Sequence, residues 1–200
     1  MISANTETQT ETMATAAETA AEAMVESMAE TITGRFRVCV TNRSIQDAAV
    51  DLSDSLTEAG EAVVIMDACG CFQPSRISRC APHSAGLLHV VRVSTSDSIV
   101  DSLGSLEGIW TRFHTVQRDL QARQILVVGV LDRLYDPEIL TRDAARTLGG
   151  IKCKLEQLAR DGFDVTVLCG KQTGNLGTRA HFLPSLCASA DQVSESFRTN

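Results

Sequence analysis

The sequence predicts an α/β fold, a three-layer sandwich in which helices cover both faces of a mostly parallel central sheet. Short apolar runs typical of buried strands alternate along the chain with amphipathic segments of helical length. The runs are apolar on both faces, as expected for parallel strands that lie between two helical layers. The composition agrees, because 200 residues that are 44% hydrophobic and 22% charged suit one domain with a sizeable core.

Five strands are predicted: Phe36–Thr41, Ala62–Asp67, Leu87–Val93, Gln124–Val130 and Asp164–Cys169. Helical periodicity is found over Ile45–Glu58, Ile99–Leu106, Gly108–Gln121 and Thr141–Arg160, with a short helix from Ser75 to Cys80. The first of these helices begins after a capping residue, Asn42 or Ser44, and Gly60 ends it. The last is the most amphipathic and ends at Asp161-Gly162, and a further ordered segment follows at His181–Val193.

The chain divides into an acidic leader at residues 1–34, an α/β domain at 35–196 and a tail at 197–200. Six glutamates and no basic residue lie in the leader, which therefore carries −6 of the net charge of −7. Glutamates at every fourth position repel each other, so the leader is either a disordered tail or a single weak helix. The domain is close to neutral and has no strongly basic field for tight, nonspecific DNA binding.

The sequence also indicates the cellular compartment in which we expect the protein. No apolar stretch is long enough to span a membrane, and the N-terminus lacks the pattern of a secretory signal. The seven cysteines are an odd number and lie mostly in apolar surroundings, which suits reduced thiols. We expect a cytoplasmic protein with no membrane partner.

Three segments resemble the RecA/RadA recombinase core, and they occur in the order of that family. VVIMDACGCFQPSRI resembles the second core strand and the helix start after it, ILVVGVLDRLYD resembles the Walker B strand, and KCKLEQLARDGFDVTVLCGKQTG resembles the next helix, strand and second DNA-binding loop. The resemblance covers about residues 36–195. It implies a RecA-like core and a role in DNA recombination or repair.

The positions that carry ATP hydrolysis in that family have changed. The P-loop position contains Asn42, Arg43 and Ser44, with no glycine and no lysine to hold a triphosphate. The N-terminus of the following helix, assisted by Arg43, is still expected to attract an anion.

The two acidic positions of the family have changed as well. Cys69 stands at the position of the catalytic glutamate, and Gly129 stands at the position of the Walker B aspartate. Asp67 remains as a cap of the strand end, and Asp132 lies past the end of its strand. The resemblance therefore implies a pseudo-ATPase with no catalytic residue and no cofactor.

The segment that matches the second DNA-binding loop is polar. Lys171, Gln172, Asn175 and Arg179 suit contacts to the backbone of single-stranded DNA. A plain solvated loop explains the same composition.

Cysteine and histidine residues offer a second kind of site. Cys69, Cys71, Cys80 and His83 are candidate ligands for a soft metal, although their spacing is looser than that of a zinc knuckle. The alternatives are small cysteines in a tight turn with Cys80 in the core, or a nucleophilic thiol near Arg76.

We therefore expect a non-catalytic RecA/RadA-like protein that acts as an accessory or regulator through contacts with a recombinase or paralogue and with single-stranded DNA. The alternatives are a regulatory or scaffold module of the same superfamily without a DNA role, and a metal-binding or thiol-dependent protein.

Overall fold

A computed structural model describes residues 34–58, 60–72, 86–93, 99–105, 123–171 and 176–196. Its strands are β1 (Phe36–Thr41), β2 (Val63–Asp67), β3 (Leu88–Arg92), β4 (Gln124–Val128), β5 (Asp164–Gly170) and β6 (Gln192–Ser196). Its helices are α1 (Ile45–Glu58), α2 (Val130–Leu134), α3 (Thr141–Arg160) and α4 (Phe182–Cys187), with a 3₁₀ turn at Gly177–Arg179. Residues 99–105 are also helical.

The strands form one six-stranded sheet in the order β3-β2-β4-β5-β1-β6. Each neighbouring pair is parallel, so all six carboxyl ends lie along one edge of the sheet. This confirms the predicted α/β class with helices flanking a parallel sheet.

The direction of the crossovers decides which helix covers which face. The connections from β1 to β2 and from β2 to β3 run towards the β3 end of the sheet, whereas those from β3 through β6 run the other way. Because parallel crossovers are right-handed, the two sets cover opposite faces. Ala49 of α1 packs with Val63 and Ile65, and Leu148 of α3 belongs to the cluster that contains Val64. Successive residues of β2 therefore face different helical layers.

The direction of winding reverses at the carboxyl edge between β2 and β4. These two neighbours send their following segments in opposite directions. Open α/β sheets place ligands at such a point, where the direction of winding reverses. Both strands are buried along their full length, so the residues that follow them are held on well-packed elements.

The element boundaries match the predictions closely for β1, α1 and α3. The predicted fourth strand is too long, because Gly129 has φ 72° and turns the chain into α2. The segment predicted as ordered, His181–Val193, contains α4, and its last two residues begin β6, which extends beyond it to Ser196. No membrane-crossing helix is found among the described residues. The leader, the predicted helices at Ser75–Cys80 and Gly108–Gln121, and the tail at 197–200 lie outside the described residues.

Candidate functional site

The candidate site lies at the carboxyl ends of β2 and β4. Their carboxyl ends are joined by a hydrogen bond from the Ala68 amide to the Val128 carbonyl, 2.9 Å long. The Val93 amide, just after β3, donates to the Asp67 carbonyl at 3.1 Å. Cys69 and Gly129, the residues that follow Ala68 and Val128, are thereby brought to the same point of this edge.

Asp67 is buried at the end of β2 and closes the turn that follows. One carboxylate oxygen accepts the Cys71 amide and the other accepts the Phe72 amide, both at 3.0 Å. The Cys69 thiol lies 3.7 Å from the first oxygen. The carboxylate is a cap for the turn at residues 67–72, hereafter the Asp67 turn.

Cys69 and Gly129 are packed directly against each other. A β-carbon built on Gly129 would lie 2.4 Å from both the β-carbon and the sulfur of Cys69. Such a distance is a severe clash, and φ at Gly129 is 72°, a conformation that side chains rarely adopt. An aspartate, or any other residue with a side chain, does not fit at position 129 while Cys69 keeps its place.

Two guanidinium groups hold the Asp67 turn from outside. Arg92 at the end of β3 donates to the Phe72 carbonyl, and Arg133 of α2 donates from Nε to the Ala68 carbonyl at 2.8 Å. At these contacts both guanidinium groups donate hydrogen bonds to backbone carbonyls of the same chain. The contacting residues are 20 and 65 positions apart in the sequence, so no local sequence pattern predicts these contacts.

Asp132 lies in α2, past the end of β4, as the sequence indicated. Burial raises the pKa of Cys169, and the nearby charges of Cys187 and Asp132 add to the rise. Among the described residues, the cluster of potential metal ligands contains Asp67, Cys69 and Cys71, and Asp132 does not join it.

The turn after β1, at the P-loop position, is short and closed. The buried Thr41 accepts the Arg43 amide on its hydroxyl at 3.1 Å, and its carbonyl accepts the Lys171 amide at 2.7 Å. Arg43 forms an ion pair with Asp51 of α1, with a nitrogen–oxygen distance of 2.6 Å. Asn42 and Ser44 are exposed. This turn differs from a glycine-rich loop, whose successive amides surround a phosphate.

The loop after β5 divides the predicted DNA-contact residues. Lys171 is exposed, whereas Arg179 is buried in the 3₁₀ turn. Arg179 donates to the carbonyls of Leu134, Asp136 and Ile139, which form the connection between α2 and α3. The structure thus uses Arg179 to hold this connection. Gln172 and Asn175 lie outside the described residues.

The two thiols of the Asp67 turn contact each other. A hydrogen bond with Cys69 raises the pKa of Cys71, and burial and the nearby Asp67 carboxylate raise it further. A thiol held in its protonated form is a poor nucleophile, so this geometry disfavours a catalytic role for Cys71. Cys80 and His83, the other predicted metal ligands, lie outside the described residues.

Comparison with known proteins finds no matching family model and no matching curated protein. The resemblance to the RecA/RadA core therefore depends on the residue pattern described above.

Proposed function

We propose that this chain is a non-catalytic RecA/RadA-like protein that acts as an accessory or regulator in DNA recombination or repair, mainly through contacts with a recombinase or paralogue. The three segments that carry the resemblance include β2, β4 and β5. These strands are neighbours in the sheet, so their matching positions converge at one edge. This convergence supports reading the segments as parts of one degenerate site.

The contact between Cys69 and Gly129 is the observation that carries the proposal. It occupies the space where two acidic groups would act on a nucleotide, and the 2.4 Å approach leaves no room for a side chain at position 129. Asp67, the acid at the end of β2, caps a turn. Phosphoryl transfer depends on positioned cations and carboxylates, and their replacement here favours a pseudo-ATPase.

Protein contact is favoured over DNA contact by the state of four arginines at this edge that the structure describes. Arg179 is buried, and Arg43 is paired with Asp51. Arg92 and Arg133 donate to carbonyls of the Asp67 turn. This observation also supports the second candidate function, a regulatory or scaffold module of the same superfamily without a DNA role.

A nucleotide assay tests the loss of catalysis. We expect the purified protein to release phosphate from ATP no faster than a buffer blank, with or without Mg²⁺ and single-stranded DNA. Hydrolysis above the blank that disappears in Asp67→Asn or Asp132→Asn would overturn the pseudo-ATPase proposal. Arg142→Lys, at an exposed position of α3, should leave any measured rate unchanged and so shows that a loss in the aspartate variants is specific to their positions, whereas a contaminating ATPase would persist in all three variants.

A strand-exchange assay tests the role in recombination. Adding the protein to a RecA/RadA-type recombinase should change the rate of strand exchange in proportion to its concentration. An unchanged rate at saturating protein, together with no binding to the recombinase, would favour the module without a DNA role.

Fluorescence anisotropy with labelled single-stranded DNA separates the remaining possibilities. A contribution from Lys171 predicts affinity that falls with salt and a salt slope about 1 unit shallower in Lys171→Ala. Lys154→Ala on α3 is the matched control. Equal slopes for the two variants would remove Lys171 from the proposed contact surface.

A further inference from the structure

We propose that Asp67, Cys69 and Cys71 form a binding site for a borderline-soft divalent cation, for which Zn²⁺ is the expected ion. The site lies within the Asp67 turn and does not depend on the proposed role in recombination. It gives a role to Cys69 and Cys71, whose spacing alone is equally compatible with metal ligands, small residues in a tight turn or a nucleophilic thiol.

The geometry of the three side chains carries the proposal. One carboxylate oxygen and the two sulfur atoms all lie within 4.8 Å of one another. Zinc–sulfur bonds of about 2.3 Å and zinc–oxygen bonds of about 2.0–2.2 Å place neighbouring ligand atoms of a tetrahedron roughly 3.5–3.8 Å apart. Small side-chain rotations therefore bring the three atoms onto one ion.

Backbone hydrogen bonds prearrange the carboxylate for this role. Asp67 is fixed by the amides of Cys71 and Phe72, one on each oxygen. An ionised carboxylate has about four lone-pair sites, so each oxygen keeps a site for a further partner. Hydrogen-bonded outer partners of this kind orient metal ligands and strengthen metal binding.

The charges around the turn are compatible with a bound dication. Zn²⁺ binding displaces the thiol protons of the two cysteines to solvent, and the resulting two thiolates, one carboxylate and one Zn²⁺ carry a net charge of about −1. Arg92 and Arg133 hold carbonyls of the same turn and place two positive charges beside it. The anionic complex is therefore balanced by the groups that already fix the backbone.

The donor set selects the kind of ion. Thiolate ligands favour Zn²⁺ and similar ions, whereas Mg²⁺ and Ca²⁺ prefer sites made only of oxygen. Three ligands from the described residues leave a fourth position, which water or another donor fills in zinc sites of this type.

Metal titration of the full-length, reduced protein tests the site. Co²⁺ is the spectroscopic probe, because a thiolate-to-cobalt charge-transfer band reports sulfur ligation directly. We expect one equivalent of Co²⁺ to give this band and one equivalent of Zn²⁺ to abolish it, with Mg²⁺ having no effect. Absence of the band in the wild-type protein would overturn the proposal.

Single substitutions place the bound ion. Cys69→Ser and Cys71→Ser should each weaken Zn²⁺ binding by more than about 100-fold in competition with a chromophoric chelator, since outer partners alone are worth 10–100-fold. Cys153→Ser on α3 is the matched control, because its cysteine is exposed and distant in sequence from the turn. It should bind Zn²⁺ as the wild-type protein does.

Circular dichroism of each metal-free variant shows whether the chain still folds. Cys69 is only half-buried, so Cys69→Ser is expected to keep the wild-type spectrum even if Cys71→Ser does not. A folded Cys69→Ser variant that binds Zn²⁺ with wild-type affinity would overturn the proposal.

Discussion

A methyl group added to the α-carbon of Gly129 would lie 2.4 Å from the sulfur of Cys69. Gly129→Ala should lower the free energy of unfolding by about 2–5 kcal/mol, which combines about 1–2 kcal/mol for the left-handed backbone and about 1–3 kcal/mol for overpacking. Urea denaturation measures the change.

Gly60→Ala is the control for the backbone contribution. Gly60 has φ 78° and nothing within 4 Å of an added β-carbon, so only about 1–2 kcal/mol should be lost there. Equal losses at the two positions would mean that Cys69 does not restrict position 129.

The carboxylate of Asp67 stabilises the fold chiefly by accepting hydrogen bonds as the cap of the Asp67 turn. Asp67→Asn replaces one acceptor with a donor that faces a backbone amide, so we expect a loss of about 1–3 kcal/mol in the free energy of unfolding. Asp51→Asn removes an exposed ion pair with Arg43 and should cost less than about 1 kcal/mol. Thermal and urea unfolding of both variants measure this difference, and a smaller loss for Asp67→Asn than for Asp51→Asn would contradict the capping role.

Asp164 at the opposite edge of the sheet gives a prediction about pH. Burial raises the pKa of its carboxyl above 3.8, against the opposing effects of the Arg35 amide, the Arg37 charge and Gln124. The folded chain therefore holds this proton more tightly than the unfolded chain, and stability is lost as the pH rises through the raised pKa.

Asp164→Asn removes this titration. The stability of the wild type relative to the variant should fall as the pH rises from about 4 and become constant once Asp164 is ionised. Urea denaturation across this range measures the difference, and Asp161→Asn corrects for the loss of one carboxylate. A difference that increases with pH would contradict the assignment.

At the scale of elements, Arg179 joins the 3₁₀ turn to the connection between α2 and α3. Arg179→Lys should lower the free energy of unfolding by about 2–4 kcal/mol, because one ammonium cannot reproduce the planar set of donors to three carbonyls. Hydrogen exchange should increase most at residues 134–140. Arg142→Lys, whose side chain is 80% exposed, is the control and should leave both measurements unchanged. Unchanged exchange in Arg179→Lys would show that other contacts hold the connection.

Local pattern was sufficient for the elements that bury a regular apolar face. α1 and α3 have the predicted bounds because their apolar residues repeat with the helical period, and β1 has them because its apolar run is short and bounded by polar residues. β6 was not predicted as a strand, since Gln192–Ser196 reads QVSES and its place depends on pairing with β1. That pairing joins segments far apart in the sequence, which periodicity does not detect.

The candidate site was predictable in position and only partly in its contacts. The ends of β2 and β4 could be recognised as strand ends, and parallel pairing then brings them to one edge. The close approach of Cys69 to Gly129 depends on φ at Gly129 and on the path of the Asp67 turn. Neither this φ angle nor the path of the turn can be predicted from the types of the neighbouring residues.

At the scale of the whole molecule, both helical layers depend on the same strands. β1, β2, β4 and β5 contribute residues to both hydrophobic clusters, so neither cluster can open without disturbing the sheet. The described core begins at Phe36, after the acidic leader. We therefore expect the described part of the chain to unfold as one cooperative unit.

A chain shortened to residues 34–200 tests this expectation. It should unfold in a single urea transition whose free energy lies within about 1 kcal/mol of the full-length value, because the described core is retained while the net charge falls from −7 to −1. Circular dichroism and the fluorine NMR signal of fluorotyrosine at Tyr135, the single tyrosine, should give the same midpoint. Scrambling residues 1–33 at constant composition provides the control, since it keeps the charge and changes the order. Separate midpoints for the two probes would contradict unfolding as one unit. If shortening lowered the free energy of unfolding by more than about 2 kcal/mol, and the scrambled leader caused the same loss, the order of residues in the leader would stabilise the domain.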